Sequence, residues 1–133
     1  MQLTKDFFRS GPPIAYLGTG EVGGKARGLE FIHSVLAAGL PPEQFPDFEV
    51  SIPRMIVLRT GVFDEFMDGN ALWLTALSHK PDRQIALAFQ QADLPFHVLG
   101  DLRMIVSEVK QPLAIRSSSL LEDAMHEPFA GVY

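Results

Sequence analysis

A chain of 133 residues has room for one domain around a modest core. With 47% apolar and 20% charged residues it can offset chain entropy by burial, which argues against a disordered chain. A net charge of −5 with no cluster of Lys and Arg argues against a nucleic-acid groove or an anionic-membrane patch, and the absence of cysteine excludes disulfides, thiolate zinc sites and cysteine nucleophiles. Met1 to Asp6 lacks the apolar segment of a signal peptide, and no apolar run approaches the roughly 20 residues of a membrane helix. A cytoplasmic protein is the expectation.

Residues 1–13 read as a lead-in that ends at Gly11-Pro12-Pro13. Ile14-Ala15-Tyr16-Leu17 is a short apolar run stopped by Gly18, the pattern of a small strand. Gly18 to Gly24 holds four glycines in seven residues and reads as a loop. From Lys25 the period becomes helical, with Leu29, Ile32 and Leu36 on one face and Phe31 and Val35 beside it. Gly39 and Pro41-Pro42 end that helix.

Met55-Ile56-Val57-Leu58 is a continuous apolar run suited to a buried strand. Thr60 is placed to cap a short helix whose apolar side is Phe63, Phe66 and Met67. Pro81 opens a further helix with Ile85, Ala88, Phe89 and Ala92 inward. Pro95 opens another, with Leu99, Leu102, Val106 and Val109 inward. Leu113-Ala114-Ile115 reads as a last short strand, and residues 117–133 as a flexible loop. The expected fold class is α/β (α+β layered), a small mixed sheet with flanking helices.

Two segments carry candidate chemistry. A glycine loop between a strand and a helix can expose backbone N–H groups, the helix start adds partial positive charge, and Lys25 adds a full one. The bland alternative is a flexible turn with a solvated lysine, and a lone glycine loop separates the two poorly. Gly18-x-Gly20-x-x-Gly23 also fits a dinucleotide fingerprint, in which Arg59 would meet a 2′-phosphate. A Walker A loop fails, because Thr19 replaces its first glycine and Ala26 its Mg²⁺-binding hydroxyl.

The second segment is Arg116-Ser117-Ser118-Ser119, followed by Glu122-Asp123 and Phe129-Ala130-Gly131. Arginine at a strand end offers a planar fork to phosphate oxygens, and serines add hydroxyl donors. The bland alternative is a salt-bridged arginine beside a solvated loop. His33, His79, His97 and His126 show no ligand spacing, and His33 reads as a packed histidine. Glu122 and Asp123 read as local pairing partners before metal ligands. Trp73 reads as core, since no basic stripe accompanies it.

Taken together, these blocks resemble the nucleotide-binding domain of the phosphoenolpyruvate synthase and pyruvate phosphate dikinase family. Gly23-Gly24-Lys25-Ala26 resembles its G-G-K motif, Ile52-Pro53 through Thr60 its proline-containing strand, and Arg116-Ser117-Ser118 with Glu122-Asp123 and Phe129-Ala130-Gly131 its R-S-S-x-x-x-E-D…F-A-G signature. The blocks occur in family order over residues 14–131. The resemblance implies a partial ATP-grasp-like lobe, with ATP between lobes and its β-phosphoryl group passed to a histidine on another domain, then to pyruvate or a related acceptor. It implies Lys25, Arg116 and Gly131 as nucleotide-binding residues, with Arg116 also catalytic, and Mg²⁺ ligands outside this chain.

Departures are Arg54-Met55, Ser119 and the loop Met125-His126-Glu127-Pro128. They keep open a non-catalytic nucleotide-sensing or interaction module with the same lobe. As an N-terminal piece of a larger unit, the chain is expected to bind ATP weakly or undetectably by itself, to transfer no phosphoryl group, and either to self-associate through an exposed apolar patch or to carry a disordered tail after about residue 117.

Overall fold

The computed structural model describes residues 3–39, 47–48 and 50–119. The chain order is α1 (Lys5–Ser10), β1 (Ile14–Leu17), α2 (Gly24–Gly39), β2 (Met55–Leu58), α3 (Thr60–Gly69), α4 (Leu72–Ala76), α5 (Asp82–Gln91) and α6 (Phe96–Glu108). This is the mixed α/β architecture expected from the alternation of apolar runs and helical periods.

β1 and β2 pair in parallel, with Ile14 opposite Met55 and Leu17 opposite Leu58. Parallel pairing requires a crossover, and α2 lies in the connection. Strand alternation then sorts the side chains. Ala15 and Leu17 are almost fully buried and join Leu3, Phe7 and Ile105 in the core, so one face of the ribbon packs on α1 and α6. Ile14 and Tyr16 belong to the other face, where Tyr16 meets α2.

The helix α1 lies inside the stretch read as a lead-in. Its six residues are too short to show a helical period, and its stability comes from packing. Phe7 is buried, Leu3 N–H donates to Asp101 Oδ1 at 3.0 Å, and Lys5 pairs with Glu108 of α6 at 2.9 Å. Lys5 holds the Glu108 carboxyl below its usual value, chiefly through that hydrogen bond.

α6 begins after Pro95 as expected, and Leu102 and Val109 pack against the core as expected, but the most buried stripe is a different one. Val98, Asp101 and Ile105 are buried, whereas Val106 is 74% exposed. The stripe includes an acidic residue because Asp101 satisfies the Leu3 N–H. The face expected on α2 is covered only in part. Leu29 and Leu36 are half-buried, Ile32 and the flanking Phe31 and Val35 are exposed, and Ala26 is the buried residue of the helix. α4 is reached through Ala71, whose left-handed φ of 50° turns the chain sharply after α3. Trp73 is partly exposed rather than core; its Nε1–H donates to Asp68 Oδ1 at 2.7 Å and its ring meets Phe63 edge-on.

Residues 113–115 form no strand, and Ile115 is 95% exposed. An apolar run becomes a strand only when a sheet edge accepts its hydrogen bonds. Among the described residues the sheet has two strands, so Arg116 does not end a third. The start of the expected 117–133 loop is instead seated against α2, as described next, and residues 120–133, with Gly131, lie outside the described residues.

Candidate nucleotide-phosphate site

The glycine loop is laced to the start of α3. Arg59 N–H donates to Leu17 O at 3.0 Å, Thr60 N–H to Glu21 O at 3.0 Å and Gly61 N–H to Thr19 O at 2.9 Å. Glu21 N–H donates in return to Thr60 Oγ1 at 2.9 Å. Thr60 therefore does not cap its own helix; Arg59 holds the cap position, without a side-chain cap bond. At Gly20 the backbone has φ of 89°, and a Cβ would lie 2.6 Å from Thr60 Oγ1, so a side chain there meets both strain and a clash. The Glu21 carboxylate pairs with Arg27 in the first turns of α2.

The serine segment closes on the other side of the same loop. Gly24 N–H donates to Ser119 O at 3.0 Å, and Ala26 N–H donates to Ser118 Oγ at 3.3 Å across 92 sequence positions. A Cβ at Gly23 would collide with the Ser118 backbone oxygen, so glycine permits the approach. The loop therefore does not simply expose its N–H groups. Glu21, Gly24 and Ala26 spend theirs on protein acceptors, and the start of α2 is capped by Ser118 and Ser119. Lys25 lies between the two capped positions, and Arg116 is two residues before Ser118. Backbone contact thus joins the two predicted motifs, by a route other than neighbouring strands.

At the strand ends, Tyr16 donates its hydroxyl to Glu30 Oε1 on α2. Burial and that hydrogen bond push the Tyr16 hydroxyl up to about 12. The Arg59 guanidinium lies 4.9 Å from the centre of the Tyr16 ring, a cation–π contact. Its Nε is buried without an acceptor among the described residues. Tyr16, Glu30 and half-buried His33 line a shallow groove with Pro12, Pro13 and Ile14. Sequence reasoning missed Tyr16, Glu30 and the true role of Thr60, because each acts through a partner far along the chain.

Chemically, the arrangement places a lysine at a helix start and an arginine close by along a tethered segment, next to serine hydroxyls. Such a set suits phosphate oxygens. His97 pairs with Glu65 at 3.2 Å, away from this loop in sequence. Among the described residues no group of three His, Asp or Glu side chains could hold a metal ion, so no step is assigned to Mg²⁺ on these residues.

A comparison with protein families decides the kinship. Residues 19–133 match the family model described as pyruvate phosphate dikinase, AMP/ATP-binding domain. The chain belongs to this family. The match begins in the glycine loop and runs through the Arg116 segment, so the two motifs joined in space lie in one family domain. As a member of a dikinase AMP/ATP-binding family, the chain is an ATP-binding domain of dikinase type, and the dinucleotide reading is set aside. No curated protein and no solved structure matches the chain. No helix among the described residues is long and apolar enough to cross a membrane.

Proposed function

We propose that this chain supplies the phosphate-binding lobe of a cytoplasmic ATP-dependent phosphotransferase. Lys25 and Arg116 neutralise the nucleotide phosphates, Arg116 stabilises the transferring phosphoryl group, and Gly131 contributes backbone donors. The β,γ-diphosphoryl unit passes to a histidine on another domain with AMP as the leaving group, the γ-phosphoryl group is then released to water or inorganic phosphate, and the β-phosphoryl group left on the histidine passes to pyruvate or a related acceptor. Mg²⁺, held by ligands beyond this chain, would add charge neutralisation to that of Lys25 and Arg116. In such chemistry the protein acts mainly by positioning and by electrostatics. The observation that carries the reading is the seating of Ser118 and Ser119 on the start of α2, on either side of Lys25.

A second reading has one observation in its favour. The first N–H groups of α2 are already capped by protein, which suits a module that senses nucleotide without transferring phosphate. Incubating the full-length protein with β-³²P-labelled ATP separates the two. Acid-labile label on a histidine supports transfer, ATP binding without label supports sensing, and no ATP binding removes both.

A further inference from the structure

We infer that Thr60 is a positioning residue of the nucleotide site: its hydroxyl holds the glycine loop, and through it the start of α2, in the geometry that receives phosphate. The inference rests on the nucleotide reading given above. Thr60 meets both polar backbone groups of Glu21, donating N–H to its oxygen at 3.0 Å and accepting its N–H on Oγ1 at 2.9 Å. Within the seam that joins Leu17–Glu21 to Arg59–Gly61, the other three hydrogen bonds are backbone to backbone. The hydroxyl is thus the part of the seam that a side-chain change can remove.

The geometry leaves little slack. A Cβ at Gly20 would lie 2.6 Å from Thr60 Oγ1, and a Cβ at Gly61 would lie 2.6 Å from Thr19 Oγ1. Loop and helix start are in close contact on both sides of the hydroxyl. The seam also reaches α2, because Glu21 is held by Thr60 through its backbone and by Arg27 of α2 through its carboxylate. Lys25 lies between these two anchors in sequence. A loop freed from Thr60 samples more conformations, and each must be reordered when phosphate binds. Arg59, not Thr60, holds the cap position of α3, and the Thr60 hydroxyl accepts from Glu21 N–H, so removing it leaves that helix its own backbone hydrogen bonds.

Thr60→Val keeps the shape and removes the acceptor, whereas Thr60→Ser keeps the acceptor. In the full-length protein, ATP affinity by calorimetry and amide exchange across residues 18–24 are measured for both. The expected result is a dissociation constant raised about tenfold in Thr60→Val, with faster exchange at Glu21, and values within about twofold of the unmodified protein in Thr60→Ser, in keeping with the loss or retention of one hydrogen bond. Gly61→Ala strains the same seam without touching the hydroxyl and is expected to weaken ATP binding too; it carries the test if Thr60→Val does not fold. Unchanged ATP affinity in folded Thr60→Val overturns the inference, as does equal loss in Thr60→Val and Thr60→Ser that follows their melting temperatures. Absence of ATP binding by the unmodified protein instead overturns the nucleotide reading itself.

Discussion

The backbone oxygen of Ser118 occupies the space that a Cβ on Gly23 would need. One atom at Gly23 therefore decides whether the serine segment can reach the start of α2. Gly23→Ala is expected to push Ser118 away, break the Ala26 N–H bond to its hydroxyl and destabilise the fold by about 1–3 kcal/mol, as overpacking against backbone does. Denaturant unfolding checks the cost, and exchange at Ala26 checks the place. A change below about 0.5 kcal/mol, with Ala26 protection intact, contradicts the contact.

Tyr16 gives the domain an alkaline signature. Its hydroxyl is raised from the usual 10.0 to about 12, first by burial and then by the bond to Glu30. Between those pH values the unfolded chain has released this proton and the folded chain keeps it. Stability from this group is therefore full below about pH 10 and falls as pH rises towards 12. The chain has two tyrosines, so tyrosinate absorbance of the unmodified protein and of Tyr16→Phe isolates this one. The expected outcome is late titration of Tyr16 and a flatter alkaline stability profile in Tyr16→Phe. Titration of Tyr16 near pH 10 contradicts it.

Much of the scaffold was legible in the sequence, for local reasons. Ile14–Leu17 and Met55–Leu58 are apolar runs bounded by turn residues, and Pro81 and Pro95 mark helix starts directly. What escaped depends on distant partners. α1 exists because Phe7 enters the core and Leu3 bonds Asp101, neither of which a six-residue window reveals. The inward stripe of α6 includes Asp101 for the same reason. Leu113–Ile115 has strand composition, but a strand also needs an edge to pair with, and none among the described residues accepts it.

The candidate site was legible as two separate motifs and not as a geometry. Lys25 and Arg116 could be picked out by residue type and neighbours. Their meeting was expected at a shared sheet edge, whereas backbone and hydroxyl contacts at Gly23, Gly24 and Ala26 bring the segments together. Thr60 carries the pattern of a helix cap, and the competing acceptor role appears only once the loop folds over it.

The central claim is that Lys25 and Arg116 serve one phosphate site. Calorimetric titration of ATP into the full-length protein, beside Lys25→Ala, Arg116→Ala and Arg116→Lys, tests it most directly. A lost charge-assisted phosphate contact is expected to cost about 1.5–3 kcal/mol, so each alanine variant should bind ATP at least about tenfold more weakly. Arg116→Lys should recover only part of the loss, because an ammonium cannot reproduce the planar fork. The loss in binding free energy should exceed any change in unfolding free energy. Unaltered ATP affinity in Arg116→Ala, or a loss that merely follows unfolding, would contradict the shared site.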